Sequence, residues 1–392
     1  MLTLDAMRGG AALAVVTYHA LGVAPQTATF GWESWLPRLT EYLVHYAFAG
    51  VYLFFVISGF CIHLHWAKTR AAGVEKPVIK FAQFWKRRVR RLYPPYFVAL
   101  ALYLVYSAYQ TPINITGSYI WDVVLHLFML HNLDPRTTYS INGAFWTLAV
   151  EEQLYLAYFL LLFLRIRYGW TKTLLVCFSA RVVWLILSRG LSEPLGFHIP
   201  VTESAATNWF IWALGALSVE AALGLIKLPR WCFQISVGGL ALGCAMALAQ
   251  LLPMVDQTGL IHDLGWLLMH PAWAIGFFIL VNYSVAAEQR WRQQRSRVPR
   301  LITALAFVGL FSYSLYLIHS FVLMHWYWFG FTEWHVRSIS LVITAPLSVA
   351  FGWLFFRLCE RPFMKSGAAK VGEKPEYAST DQDEVALVRE AA

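Results

Sequence analysis

Apolar stretches separated by short polar segments run along almost the whole chain. Ten of them approach the roughly 20 residues that let an α-helix cross about 30 Å of hydrocarbon, although the third and fifth are short. They lie at residues 9–24, 46–66, 94–109, 143–164, 173–187, 205–225, 232–252, 265–285, 302–328 and 339–358. The pattern predicts an all-α fold, a polytopic transmembrane helix bundle of about ten spans within residues 1–365. The polar residues 366–392 are predicted to form a disordered cytoplasmic tail.

Composition narrows the class of protein further. Hydrophobic residues make up 58% of the 392 residues and charged residues 14%. An average soluble protein has roughly 45–50% apolar and about 25% charged residues, so a soluble enzyme, a coiled coil and a disordered protein are excluded. The aromatic share of 16% suits membrane–water interfaces, where amphipathic rings gather.

The formal net charge of +9 reflects an uneven distribution of basic residues. If the N-terminus is cytoplasmic, almost all Lys and Arg residues fall in cytoplasmic segments, and the opposite face carries Arg38, Arg136, Arg189 and Arg337. This asymmetry follows the positive-inside rule. It predicts that both termini are cytoplasmic and that the chain is multi-pass in the inner (plasma) membrane. The charge then needs no nucleic-acid partner, and the lipid bilayer is the predicted surrounding.

The first span carries two ionisable residues, which are costly within a membrane unless they are paired or functional. Arg8 and His19 are eleven residues apart, about three helical turns, so both side chains lie on nearly one face about 16 Å apart. An arginine at the surface can hold an anionic head while a neutral histidine at depth acts as a general base. Coenzyme A, with its phosphates and long thin arm, fits that division. Alternatively, Arg8 is a positive-inside anchor and His19 an interhelical hydrogen-bonding residue.

The fourth span contains two adjacent carboxylates, Glu151 and Glu152. Adjacent helical positions point about 100° apart, so both cannot turn outward to water within a span. Glu151 is expected near the depth of His19, where a carboxylate could orient the imidazole or contact an acceptor hydroxyl. The alternative is an ion pair with an arginine such as Arg181.

A dense basic cluster, FAQFWKRRVRRLYPPYF, runs into the third span. Guanidinium groups suit phosphate, so its arginines could bind the phosphates of a cytoplasmic cofactor. These arginines are Arg87, Arg88, Arg90 and Arg91. The alternative is an orientation signal that also contacts anionic lipid.

The ninth span contains Tyr313, Tyr316 and His319 at spacing i, i+3, i+6, on one broad face. This polar stripe either lines a cavity or holds neighbouring helices together. Glu360 and Arg361, at the end of the last span, are expected to form a structural ion pair. The five cysteines show no CxxC spacing, so neither a metal site nor a disulfide is predicted.

Six segments, taken in their order along the chain, resemble the acyltransferase 3 family of integral membrane acyltransferases. They are LDAMRGGAALAVVTYHA, FFVISGFCI, RRVRRLYPPYF, FWTLAVEEQLYL, SYSLYLIH and CERPF. The resemblance covers residues 4–362 and implies ten core transmembrane helices. It also implies transfer of acetyl or other short acyl groups from a cytoplasmic acyl-CoA to hydroxyls of glycans, lipids or small molecules.

The resemblance also assigns roles to individual positions, and the family's catalytic histidine corresponds to His19. The matching positions are Arg8 and His19 for the arginine–histidine motif, Arg88 and Arg91 for the arginine motif before the third helix, and Ser58, Gly59 and Phe60 for the SGF element.

Two motifs depart from the family pattern. The usual Leu-Asp-Gly-Leu-Arg opening reads LDAMR here, and the common Ser-Leu-Ser-Val-Glu-Glu run reads TLAVEE, which loses a hydroxyl at Ala149. The sequence carries no SGNH-type soluble domain of the kind fused to some members. Acceptor binding is therefore expected from the membrane region or from a partner.

Together these features form one hypothesis of function: a membrane O-acyltransferase that uses acetyl-CoA or another acyl-CoA and no metal. His19 is the general base or transient acyl carrier, and Glu151 or Glu152 assists it. The predicted cofactor-binding residues are Arg8, Arg87, Arg88, Arg91 and Ser58, and the predicted substrate-binding residues are Tyr313, Tyr316 and His319. The predicted acceptor is a hydroxyl-bearing glycan or glycoconjugate. The rival hypothesis is a multi-span transporter of a glycan or small molecule with a proton relay.

Overall fold

A computed structural model describes residues 1–22, 45–110, 115–255, 259–326 and 343–364. The regular structure in these segments is helical, which confirms the predicted all-α class. The predicted tail at 366–392 lies outside the described residues, as do Arg38 and Arg337 on the predicted outer face.

The described helices are numbered α1 to α12 in chain order. They are α1 Leu2–Gly22, α2 Gly50–Ala71, α3 Phe81–Gln110, α4 Gly117–Leu127, α5 Trp146–Leu195, α6 Ala205–Ala222, α7 Ile235–Leu251, α8 Leu260–Gln294, α9 Arg300–Leu310, α10 Ser312–Trp326, α11 Ala345–Phe355 and α12 Arg361–Met364. Short 3-10 turns precede α2, α5, α7 and α8, and a π-helical turn at Phe356–Glu360 joins α11 to α12.

Several of these helices are suited to cross a membrane. Within the described residues, four stretches are long and apolar enough; they are Tyr46–Ala71, Trp146–Leu195, Ile235–Met254 and Leu260–Gln294. A fifth is reached if the bent pair of α9 and α10 is counted as one span. A membrane-spanning helical bundle is therefore supported, while the number of ten spans and the cytoplasmic termini remain predictions.

Three predicted spans differ from the observed helices. The ninth span is two helices, α9 and α10, which meet at an angle of 74°. The fourth and fifth spans join in the 50-residue α5, which is interrupted at Gly169 with φ 78° and ψ 173°. Residues with a Cβ rarely adopt this backbone conformation. Hydropathy therefore located the apolar segments but did not predict the bend between α9 and α10.

The sequence pattern does not predict α4, because its 11 residues are far fewer than a span needs. Leu125 and His126, near the end of α4, are buried, whereas Ile120 and Trp121, about one turn earlier, are exposed. The loop after α4 enters the bundle at Met129, a buried residue with a positive φ of 52°. This loop becomes part of the wall of the pocket described below.

The loop after α4 is held by polar contacts of its own. Asn132 and Gln153 pair through their side-chain amides at 2.7 and 3.2 Å. Hydrogen bonds from Arg136 keep the pKa of Asp134 at about 2, below its ordinary value, so this carboxylate is charged at neutral pH. These contacts order the loop beside the N-terminal part of α5.

Glycines allow α2 and α6 to cross at close range. A Cβ at Gly59 would lie 1.9 Å from the carbonyl oxygen of Trp212, and one at Gly215 would lie 1.8 Å from that of Val56. Small residues allow helix backbones to approach closely within membranes. The glycine of the SGF segment therefore has a packing role, and the crossing places the preceding residue, Ser58, inside the bundle.

Candidate active site

One stripe of α2 is open, although most of the helix is buried. Phe54, Ser58, Cys61 and His65 are partly or fully exposed, whereas most residues between them are buried. Their spacing of four, three and four residues places them on one face of the helix. We call these four residues the α2 stripe, and the residues described next gather along it.

Glu151 faces the middle of the α2 stripe. Ser58 Oγ donates a hydrogen bond to Glu151 Oε1 at 2.5 Å, and the hydroxyl of Tyr155 donates to the same oxygen at 2.5 Å. The indole of Trp212 in turn donates to Ser58 Oγ at 3.2 Å. Ser58, a predicted cofactor-binding residue, thus fixes Glu151 and links α2, α5 and α6.

The two adjacent glutamates line one pocket. Its other lining residues are Leu92, Met129, Leu148, Tyr155 and Tyr313. Glu152 is only 6% exposed, and it lies beside Tyr93 and Arg88, which both act on its carboxylate. Glu151 therefore faces α2, whereas Glu152 faces the arginine-bearing helix α3.

The basic cluster lies on α3, and its four arginines lie on two different faces of this helix. Arg88 and Arg91, three residues apart, are half-buried, whereas Arg87 and Arg90 are exposed. The guanidinium of Arg88 lies over the rings of Phe84 and Tyr155, at 5.3 and 5.9 Å from their centroids. The structure thus brings two of the four arginines into the bundle, and Arg87, a predicted cofactor-binding residue, is not among them.

Three arginines from two helices act on groups near the α2 stripe. Arg8 and Arg88 both act electrostatically on the thiol of Cys61, and Arg8 and Arg91 both act on the carboxylate of Glu360. Arg8 also lies 3.9 Å from the carboxylate of Asp5 on its own helix. We call Arg8, Arg88 and Arg91 the arginine cluster, since their charges act on Cys61 and Glu360.

Glu360 belongs to this region rather than to a surface ion pair. It is fully buried, and its Oε2 accepts a hydrogen bond from Ser314 Oγ at 2.6 Å. Among the described residues no ion pair joins it to the expected partner Arg361, and the charges of Arg91 and Arg8 act on it from farther away. Glu360 ends the π-helical turn at Phe356–Glu360, a feature that hydropathy does not reveal and that often occurs at functional sites.

His19 lies at the opposite end of α1 from the arginine cluster. Its Nδ1 lies 3.0 Å from the carbonyl oxygen of Val15 and 3.2 Å from Nε2 of His319. Neither Glu151 nor Glu152 makes a hydrogen bond with it in the structure, although the sequence suggested such a contact. The group that touches the imidazole is another histidine, which the sequence placed in a substrate-binding stripe.

Tyr316 separates the histidines from the carboxylates. Thr147 Oγ1 donates to its hydroxyl at 2.8 Å, and that hydroxyl donates to the carbonyl oxygen of Ala144 at 3.2 Å. Its ring packs edge-on against that of Phe54, with centroids 5.9 Å apart. Tyr316, a predicted substrate-binding residue, therefore uses its hydroxyl to join α10 to α5.

The same contacts show how far Glu151 is from His19. Tyr313, one turn before Tyr316 on α10, lines the pocket of Glu151 and donates its hydroxyl to the carbonyl oxygen of Leu92 at 2.8 Å. Because α10 and this part of α5 are antiparallel, His319 lies one turn beyond Tyr316, away from Glu151. Glu151 and the histidines are thus separated by about two helical turns, roughly 10 Å, instead of sharing one depth.

Arg181, the alternative partner for Glu151, lies elsewhere. It is fully buried, donates to the carbonyl oxygen of Trp266 at 2.8 Å and lies 2.6 Å from Nδ1 of His270. Its guanidinium stacks over the Trp266 ring at 4.0 Å. The ion pair with Glu151 is therefore absent from the described structure, and Arg181 instead ties α5 to α8.

A buried polar network, which the sequence reasoning missed, holds α2 against α5 and α6. Nε2 of His63 lies 2.9 Å from Glu220 Oε1, and its Nδ1 lies 3.1 Å from the Tyr158 hydroxyl. Arg165 donates to both oxygens of the same carboxylate, at 2.6 to 3.1 Å. The sequence did carry a signal for this network, because His63 and Glu220 are ionisable residues inside two of the predicted spans.

Comparison with known families adds a match over most of the chain. The acyltransferase 3 family model, described as an acyltransferase domain, covers residues 1–357. This match includes the arginine cluster, both histidines and both carboxylates of the pocket. No solved structure matches the chain.

Similar proteins occur in two bacteria. A Staphylococcus aureus strain COL protein, whose name gives O-acetyltransferase as an inferred activity, is 26% identical over 95% of this chain and 59% of its own length. O-acetyltransferase OatA of Staphylococcus aureus strain NCTC 8325 is 24% identical over 93% of this chain and 57% of its own length. Peptidoglycan O-acetyltransferase OatA of Listeria monocytogenes is 30% identical over 43% of this chain and 25% of its own length. The chain therefore spans less than two thirds of these relatives.

Proposed function

The chain belongs to the acyltransferase 3 family, and we propose that it is a multi-pass membrane O-acyltransferase. In this proposal it transfers an acetyl or other short acyl group from acyl-CoA to a hydroxyl of a carbohydrate-containing acceptor. The observation that carries the proposal is the arginine cluster near the α2 stripe, with His19 on the same helix as Arg8. Relatives named as O-acetyltransferases support the reaction type.

The arginine cluster is proposed to hold the phosphates of the acyl donor. Guanidinium groups bind phosphate through paired, charge-assisted hydrogen bonds, and the charge of Arg8 acts on Cys61 together with that of Arg88 and on Glu360 together with that of Arg91. Arg87 is exposed on another face of α3, so its proposed contribution is limited to long-range attraction. The donor side is proposed to be cytoplasmic, where acyl-CoA is available.

The α2 stripe offers a path for the thin arm of coenzyme A. It leads from Cys61, beside the arginine cluster, past Ser58 to Phe54, which packs against Tyr316. Tyr316 and His319 occupy successive turns of α10, and His319 contacts His19. An arm lying along this stripe would bring the thioester toward His19.

In the proposed reaction, His19 takes the proton of the acceptor hydroxyl. The acceptor oxygen then attacks the thioester carbonyl carbon, the carbon–sulfur bond breaks, and the coenzyme A thiolate receives the proton from His19. In a variant, His19 itself carries the acyl group, which lets the two substrates bind in turn. Glu151 and Glu152 assist from the pocket rather than through direct contact with His19.

The acceptor is proposed to be a glycan or glycoconjugate. One relative is named for peptidoglycan, a carbohydrate polymer, although that alignment covers 43% of this chain. The proposed location is the inner (plasma) membrane, where an acyl-CoA on one side and a surface glycan on the other can both reach a bundle of spanning helices.

The proposal is tested with purified protein in detergent and acetyl-CoA labelled in the acetyl group. We expect release of coenzyme A, and acetylated glycans on cells that express the native chain but not the His19→Ala variant. The variant should lower turnover at least about 100-fold, the lower end of the range for a general base.

Two results would contradict this function. Transport of a glycan without consumption of acetyl-CoA would support the rival transporter hypothesis. Full acyl transfer by a His19→Ala variant with an unchanged melting temperature would exclude His19 both as base and as acyl carrier.

A further inference from the structure

His319 is in direct contact with His19 yet is closed to solvent. The two rings have centroids 5.0 Å apart, and Nε2 of His319 lies 3.2 Å from Nδ1 of His19. His319 is 0% exposed, and both of its ring nitrogens have protein partners. A closed ring with two engaged nitrogens does not fit the substrate-contact role that its sequence position suggested.

Two backbone carbonyls determine where the protons of this pair lie. A carbonyl oxygen only accepts hydrogen bonds, so a neutral histidine nitrogen beside one carries the proton. Nδ1 of His319 lies 2.8 Å from the carbonyl oxygen of Tyr316, which leaves its Nε2 as an acceptor. Ser320 Oγ, 3.2 Å from that Nε2, can donate to it as well.

The same reasoning applies to His19. Its Nδ1 lies 3.0 Å from the carbonyl oxygen of Val15, so it carries the proton and shares it with Nε2 of His319. Nε2 of His19 is then unprotonated, and no hydrogen bond to it is found among the described residues. His19 itself is half-buried, so this nitrogen belongs to the more open of the two rings.

We propose that His319 is a positioning residue, which together with the Val15 carbonyl holds the proton of His19 on Nδ1 and leaves Nε2 of His19 free to act as the base. This inference rests on the proposed function, because it concerns how the base of that reaction is prepared. In the Ser-His-Asp arrangement, a carboxylate orients the catalytic histidine. In this proposal a neutral imidazole does so, and its other nitrogen donates to a backbone carbonyl.

The proton movements of the reaction are consistent with this role. When Nε2 of His19 takes the acceptor proton, its ring becomes an imidazolium, and its Nδ1–H already points at the lone pair on His319. The new carbon–oxygen bond forms and the carbon–sulfur bond breaks, after which Nε2 returns its proton to the coenzyme A thiolate. Both rings regain their starting tautomers, so His319 neither gains nor loses a proton.

Two substitutions of His319 separate its two hydrogen bonds. In His319→Asn, the side-chain amide can replace Nδ1 and keep the bond to the Tyr316 carbonyl, but only the Val15 carbonyl is left to accept from His19. In His319→Gln, the side-chain oxygen can replace Nε2 and accept from His19. His198→Gln is the matched control, because His198 is exposed in the loop after α5.

The assay is release of coenzyme A from acetyl-CoA with water as the acceptor, together with the melting temperature of each variant. We expect His319→Asn to lower kcat about 100-fold, within the range for loss of general-base catalysis, with KM for acetyl-CoA unchanged within twofold. His319→Gln should recover kcat to within tenfold of the native chain, and His198→Gln should match the native chain.

The inference is overturned if folded His319→Asn keeps kcat within threefold of the native chain. It is also overturned if Gln and Asn are equally inactive at unchanged melting temperature, or if only KM changes. These outcomes differ from failure of the proposed function, in which His19→Ala itself keeps its turnover. If His19→Ala is inactive and His319→Asn is fully active, the positioning role of His319 is wrong while the proposed function still holds.

Discussion

Glu151 and Glu152 are neighbours in sequence but have different surroundings. Glu151 receives hydrogen bonds from Ser58 and Tyr155, whereas Glu152 lies beside Arg88 and Tyr93. The difference follows from the 100° between successive helical positions, which points one carboxylate at α2 and the other at α3. The pair therefore connects the α2 stripe to the arginine cluster.

At the same scale, the divided basic cluster makes a prediction about acyl-CoA binding. Arg91→Gln should raise KM for acetyl-CoA about tenfold, because one hydrogen bond to a charged group contributes about 1.5–3 kcal/mol and 1.4 kcal/mol corresponds to tenfold. Initial rates over a range of acetyl-CoA concentrations measure the effect.

Arg90→Gln is the matched control for this measurement. It removes the same charge from the adjacent position, but Arg90 is exposed on another face of α3, so KM should change by less than twofold. Equal effects of the two substitutions would mean that general surface charge, and not the arginine cluster, attracts the acyl donor.

At the scale of whole helices, the position of the α2 stripe depends on the crossing of α2 and α6. Gly59→Ala should lower the melting temperature by several degrees and reduce turnover, because its Cβ would meet the Trp212 carbonyl at 1.9 Å. Overpacking of this kind typically costs about 1–3 kcal/mol. Thermal unfolding in detergent and coenzyme A release measure the two effects.

The same substitution at Gly239 in α7 provides the comparison. A Cβ there meets no atom within 4 Å, so Gly239→Ala should leave both the melting temperature and turnover unchanged. Similar losses from both substitutions would show that the close α2–α6 crossing is not the cause of the loss.

The network of His63, Arg165 and Glu220 also joins α2 to α5 and α6. Breaking a buried ion pair by removing one partner is strongly destabilising, and this carboxylate is fully buried. Gly59 and His63 are four residues apart, so the glycine crossing and the charged network hold the same buried face of α2. Both contacts keep Ser58 and Cys61 at defined positions relative to α5 and α6.

For the whole molecule, the distribution of basic residues predicts the orientation in the membrane. A fluorescent protein fused to either end should fluoresce in the cytoplasm, and alkaline phosphatase fused to either end should be inactive, because the phosphatase requires export to fold. Active phosphatase at one end only would mean an odd number of spans. Active phosphatase at both ends would reverse the proposed side for acyl-CoA.

Helix positions were largely predictable from sequence, and their relations were not. The stretch at 46–66 corresponds closely to α2 and its preceding turn, because an apolar run of that length has few alternatives. The bend between α9 and α10 and the short helix α4 escaped prediction. Hydropathy shows whether a segment is apolar enough to cross a membrane. It shows neither the angle between two successive helices nor the presence of a helix too short to span the membrane.

The sequence by itself determined the class of molecule, the family and a short set of ionisable candidates, because charges inside apolar spans are rare and costly. Only the tertiary structure decided which of them meet. His19 and His319 are 300 residues apart in the chain, and Arg8 of α1 and Arg91 of α3 act on the same carboxylate, that of Glu360. Lipid tails are as apolar as a helix surface, so hydropathy alone cannot say which face of a spanning helix contacts which neighbour.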